Sequence, residues 1–145
     1  MEEIIVSTSN QRIKNVLKLK EKYSERKHQN LIVVEGMREI LMAKENGFQI
    51  KTLFVCEDVY SKKTETQNFV FSGIARLVKI SKDVFEKIAY RESSDGLLAL
   101  VAPEYLELYN LKLSSVPLLV IIESVEKPGN IGAIFRTADA SGVDA

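Results

Sequence analysis

Three residues near the carboxyl end of this 145-residue chain, Glu123, Asn130 and Arg136, have the types and spacing to do chemistry. A guanidinium and a carboxamide around the start of a helix can hold an anion, orient a phosphate, or steady negative charge building on an oxygen, while a carboxylate can partner the guanidinium or backbone amides. A guanidinium, planar and carrying only donors, is suited to the electrostatic role and poorly suited to that of a base. The segment around them explains how they would be placed. Leu118 to Ile122 is a short apolar run that reads as a strand buried on both faces, and Pro128-Gly129 punctuates the turn after it. Asn130 stands where an N-cap belongs, Ile131, Ile134, Phe135 and Ala138 recur on one helical face, and Gly142 supplies a stop. A strand that delivers its carboxyl end into such a turn is where open α/β sheets place anionic ligands. A dinucleotide fingerprint is a poor match, because Gly129-Asn-Ile-Gly132 lacks the third glycine and no acidic residue follows at the required distance. The same four residues spell the G-x-x-G clamp of a KH domain, but that clamp joins two helices whereas this one follows a strand.

The second chemically suggestive feature is charge. The net charge is zero, yet Asn10 to Asn30 holds seven basic residues (Arg12, Lys14, Lys18, Lys20, Lys22, Arg26, Lys27) against Glu21 and Glu25, whereas the chain from Glu104 onward is net acidic. On one helix, Ile13, Val16, Leu17 and Tyr23 would share a side, with Lys14, Lys18, Lys22 and Arg26 stepping at i+4 around the other. Such a stripe is either a solvated face relieved by the two glutamates or a track for a phosphate backbone, which confers affinity without sequence choice.

The remaining elements alternate. Strands are expected at Leu31–Val34, Ile50–Cys56, Arg76–Ile80 and Gly96–Ala102, with helices at Met37–Asn46, closed by Gly47, and after an N-cap at Ser81. That order predicts an α/β sandwich. Residues 57–72 give a mixed signal, read as loop plus a short helix. Pro103 closes the sheet, and Glu104 to Pro117 reads as a connector. With 46% apolar and 28% charged residues the composition is that of a globular chain with room for about one full domain. Its longest aliphatic run is far short of the ~20 residues that span a bilayer, and no secretory leader opens it, so a cytoplasmic address is expected. Cys56 is the only cysteine and His28 the only histidine, so neither an intramolecular disulfide nor a metal cluster is expected; Cys56 reads as a small buried hydrophobe.

The order Glu123, Pro128-Gly129-Asn130-Ile131-Gly132, Arg136-Thr137-Ala138 and Gly142 resembles the first motif of the SpoU/TrmH branch of SPOUT RNA methyltransferases. Ser7-Thr-Ser-Asn10 with Lys14, Arg26-Lys27, Val34-Glu35-Gly36 with Arg38, and Asp95-Gly96 are similar, in order and spacing, to the RNA-binding domain that precedes many of those enzymes. The resemblance implies residues 1–103 as a three-layer α/β/α, ribosomal-protein-like RNA substrate-binding domain, 104–116 as linker, and 117–145 as the first strand and helix of an α/β-knot domain. It implies transfer of a methyl group from S-adenosylmethionine to a ribose 2′-hydroxyl of RNA, ribosomal RNA above all, by a homodimeric parent enzyme. Asn130 and Arg136 would belong to the active site, with Glu123 at its entrance and Gly132 allowing close backbone approach, while Gly36 and Gly129 shape turns. Asn10, Lys14, Lys18, Arg26, Lys27, Glu35 and Arg38 would form the RNA surface. The family holds its methyl donor in a knotted segment absent from these residues, so a truncated chain without methyl transfer is expected. A non-catalytic RNA-binding module is the competing reading; exposed apolar residues on its last strand and helix would be a liability for it.

Overall fold

The computed structural model describes residues 4–60, 72–90, 95–104 and 107–145. The chain forms two compact units, Met1–Glu104 and Tyr105–Ala145.

The first unit runs β1 (Ile4–Ile5), α1 (Gln11–Glu21), α2 (Tyr23–Gln29), β2 (Ile32–Glu35), α3 (Met37–Glu45), β3 (Gln49–Val55), β4 (Leu77–Ile80), α4 (Lys82–Ile88) and β5 (Leu97–Ala102). Its five-stranded sheet has the order β1-β4-β3-β5-β2. β4 pairs in parallel with β1 and β3, while β5 runs antiparallel to both β3 and β2. β5 is apolar throughout because both of its faces are covered. Leu98 and Leu100 pack with Phe54, Cys56 and the buried sides of α1 and α4, while Leu97, Ala99 and Val101 pack with Leu53, Val55 and Ile40 of α3. This is the expected three-layer α/β/α arrangement. Burial also raises the pKa of the Cys56 thiol, in keeping with a core role.

Two expectations fail in the first unit. The basic segment is not one helix: Lys22 takes an extended conformation (φ −111, ψ 115) that ends α1 and begins α2. Arg26 stabilises the break, its Nη1 donating to the carbonyls of Leu19 (2.8 Å) and Lys20 (3.1 Å) in the last turn of α1. A reciprocal amide pair, Asn15 with Gln29 at 2.9 Å in both directions, ties α2 back onto α1. The break moves Tyr23 off the core side, where it is 69% exposed, and Leu19 is buried in its place. β1 was not foreseen, because two residues carry no periodicity. The mixed segment 57–72 lies largely outside the described residues.

The second unit contains a 3-10 turn (Leu108–Asn110) and α5 (Pro128–Ala140). Leu118–Ile122, expected as a strand, is not in a ladder; its region contacts the chain end through the Leu118 carbonyl accepting from Asp144 N–H (2.9 Å) and Val120 N–H donating to the Ala145 carbonyl (2.8 Å). The Asp144 carboxylate also accepts from the Ser114 and Leu118 amides and the Ser114 hydroxyl, which holds its pKa below the usual value. α5 ends as expected, in a Schellman turn: Gly142 has φ 66, Val143 N–H reaches the Ala138 carbonyl, and Gly142 N–H reaches that of Asp139.

Candidate functional site

In the first unit the seven cations of residues 10–30 divide by what they touch. Lys20 and Arg26 are part-buried and bound to carbonyls, whereas Arg12, Lys14, Lys18, Lys22 and Lys27 are exposed, with no side-chain hydrogen bond or ion pair among the described residues. The Lys20 Nζ donates to Ile88 (2.6 Å) and Ala89 (3.2 Å) at the carboxyl end of α4 and lies 3.8 Å from the centroid of the Tyr90 ring. Burial pulls its pKa below the usual lysine value, an effect that the Glu35 carboxylate opposes. Two of the expected RNA ligands therefore have structural jobs. Arg26 closes α1, and Asn10 is the N-cap of α1, its Oδ1 accepting from Arg12 N–H at 2.9 Å. Lys14, Lys18 and Lys27 remain in solvent.

The tertiary structure also joins the Glu35-Gly36 and Asp95-Gly96 motifs. Helix α3 begins after Gly36, which has no side chain to cap it. Asp95, 58 residues away, does so instead: its Oδ2 accepts from Met37 N–H at 2.7 Å. Gly36 itself has φ +102, a conformation L side chains rarely adopt. Glu35 accepts from the Tyr90 N–H, so it too acts on the backbone, while Arg38 projects into solvent near the head of α3. Asp95→Ala is expected to destabilise the unit by about 1 kcal/mol, the typical worth of an N-cap. The measurement is a urea titration with a lowered midpoint and unchanged slope, and Asp95→Asn should recover most of the loss.

In the second unit the turn differs from expectation. Asn130 is not the N-cap: Lys127 is, and Pro128 occupies the first helical position, where its fixed φ suits a helix start and its missing N–H leaves no donor unsatisfied. Asn130 falls in the first turn, its own N–H donating to the Lys127 carbonyl at 3.0 Å. Gly129, expected to shape the turn, and Gly132, expected to allow close backbone approach, are both helical, and a Cβ on either would meet nothing within 4 Å outside its own helix among the described residues. The positive φ in this turn belongs to Ser124. A hollow of about 360 Å³ at the head of α5 is lined by Ser124, Val125, Glu126, Lys127, Asn130 and Ile134. Glu123 and Arg136 are exposed, with no side-chain hydrogen bond or ion pair among the described residues.

Residues 10–99 match the family described as the MRM3-like substrate binding domain. Over 97% of its length the chain is 30% identical to the 23S rRNA (guanosine(2553)-2′-O)-methyltransferase RlmP of Bacillus subtilis, covering 52% of that protein. Across 72 residues it is 38% identical to the 23S rRNA (guanosine-2′-O-)-methyltransferase RlmB of Haemophilus ducreyi. Among solved structures, an RNA 2′-O ribose methyltransferase superposes on 97% of the chain with a TM-score of 0.79 and 31% identity, 53% of that protein being covered. The SpoU methyltransferase AviRb of Streptomyces viridochromogenes, solved with AdoMet, shares the fold at 22% identity with a TM-score of 0.80. The chain belongs to the SpoU/TrmH family of RNA methyltransferases and carries its N-terminal substrate-binding region. It spans about half the length of the relatives it matches.

Proposed function

We propose that this chain grips an RNA substrate, ribosomal RNA as in the named relatives, and contributes the first catalytic motif of a ribose 2′-O-methyltransferase acting in the cytoplasm. Residues 1–103 take the RNA, 104–116 connect, and 117–145 begin the catalytic domain, whose completed form is a homodimer. The observation that carries the RNA reading is the division of the cations. Those needed to cap helices are half-buried, and the exposed set on α1 and α2 has no partner to neutralise it among the described residues. A phosphate backbone would provide that neutralisation and release its own counterions.

On the catalytic side, Arg136 orients a phosphate and stabilises the alkoxide that forms as a 2′-hydroxyl attacks, and Asn130 lines the hollow at the head of α5. The bare backbone at Gly129 and Gly132 leaves room for substrate to come close. S-adenosylmethionine is the methyl donor of the complete enzyme. The residues described here do not fit it, since the hollow at the head of α5 has only one turn and one helix end for walls. No methyl transfer is expected from these residues alone.

Lys14→Glu combined with Lys18→Glu tests the RNA surface. Because both side chains are solvated and unpaired among the described residues, the double variant should fold normally. It should lose tenfold or more in RNA affinity whatever the sequence, with the slope of log affinity against log salt falling by about 2. Unchanged binding at low salt would move the RNA surface elsewhere.

No helix among the described residues is long and apolar enough to cross a membrane.

A further inference from the structure

Beside the exposed lysines, the same region presents two tyrosines that the core does not use. Tyr90 is 67% exposed and Tyr23 is 69% exposed, and neither joins the hydrophobic core on either side of the sheet. Both are held from behind. The Lys20 ammonium sits over the Tyr90 ring at 3.8 Å, and the Arg26 guanidinium lies over the Tyr23 ring at 5.9 Å. These cations are themselves fixed. Lys20 is bonded to the carbonyls of Ile88 and Ala89, and Arg26 to those of Leu19 and Lys20, so both rings are tied through Lys20 to one corner of the unit. The backbone of Tyr90 is also pinned, by its N–H to Glu35.

We infer that Tyr90 and Tyr23 are a stacking platform for unpaired RNA bases, with Lys20 and Arg26 orienting the rings from the protein side. The inference rests on the proposed RNA binding by α1 and α2 and adds which part of the RNA that face reads. A cation over one face of an aromatic ring is attracted by the ring quadrupole and leaves the other face to solvent. An open aromatic face is what an unstacked base seeks, and every base has a π-face to offer. The rings are pre-oriented, so stacking on them orders little that was free. Lys14, Lys18 and Lys22 precede Tyr23 along the same stretch and supply charge for the phosphates on either side of a stacked base. Phosphate contacts alone would explain the lysines but leave two solvated, anchored rings without a role.

The test uses the whole chain and two probes: a short single-stranded RNA bearing one 2-aminopurine, and an abasic ribose-phosphate oligomer of equal length. Tyr90→Leu and Tyr23→Leu should each weaken binding of the base-bearing RNA roughly tenfold to a hundredfold and reduce the quenching of 2-aminopurine. Affinity for the abasic oligomer and the salt slope should not change, because no phosphate contact is lost. Tyr90→Phe, which keeps the ring, should behave as wild type. Both leucine variants matching wild type in affinity and quenching would overturn the platform while leaving the lysine surface intact. Failure of the wild-type chain to bind either oligomer would overturn the RNA reading and the platform with it.

Discussion

Gly96→Ala is expected to destabilise the first unit by about 3–5 kcal/mol, combining a left-handed backbone with a steric clash. Gly96 has φ +81, and a Cβ there would lie 2.7 Å from the Tyr60 nitrogen and 2.9 Å from the Cys56 carbonyl oxygen. Both are backbone atoms, so neither can rotate away as the end of a flexible side chain would. The Gly96 carbonyl also accepts from Cys56 N–H at 2.9 Å, which locks the entry to β5 against the end of β3. Relief of the clash would pull β5 from its place between β3 and β2. For a domain stable by 5–15 kcal/mol this is a large fraction of the total, and the thermal midpoint should fall by at least about 12 °C. Gly73→Ala separates the two causes: its φ is +67, but nothing among the described residues lies within 4 Å of its Cβ position. Only the backbone strain, about 1 kcal/mol, should register there. Equal losses in the two variants would show that the close approach at Gly96 is not what matters.

Arg136→Ala is expected to lower methyl transfer by about 10²–10³-fold, the usual effect of removing one preorganised group that stabilises an oxyanion. The assay needs a complete catalytic domain, so we specify a hybrid in which this chain is continued by the part of the Bacillus subtilis relative beyond the matched residues. It would be incubated with labelled S-adenosylmethionine and unmethylated ribosomal RNA, then scored for alkali-resistant dinucleotides. Arg136 is exposed and makes no contact that folding needs among the described residues, so its loss should leave the thermal midpoint unchanged. Arg136→Lys keeps the charge but not the planar fork and should fall between wild type and alanine. Full label with Arg136→Ala would remove Arg136 from the site. Label from the unextended chain would show that these residues hold a donor after all.

Much of this architecture was legible in the sequence because it depends on local periodicity and on chemistry within a few residues. The apolar run of β5, the Ser81 cap, the stops at Gly47 and Gly142, and the buried face of Ile13 and Val16 all follow from side-chain spacing that one strand or one helix imposes. The family resemblance was legible for a related reason, since its motif is contiguous and needs no partner from elsewhere in the chain.

What the sequence alone could not determine were the outcomes that depend on atoms distant in the chain. A continuous helical pattern runs through Lys22, yet the helix breaks there, where the Arg26 Nη1 donates to the carbonyls of Leu19 and Lys20 and Leu19 outcompetes Tyr23 for the core. A count of seven cations could not say which were available, because the capping roles of Lys20 and Arg26 exist only once α4 and α2 are in place. Asp95 caps a helix that begins near residue 37, a bond no local window contains. Pattern and propensity set which segments become helix or strand, since these depend on neighbours along the chain. Folding decided which charges stay in water, because a polar group is committed or free only according to what the rest of the molecule brings within hydrogen-bonding distance.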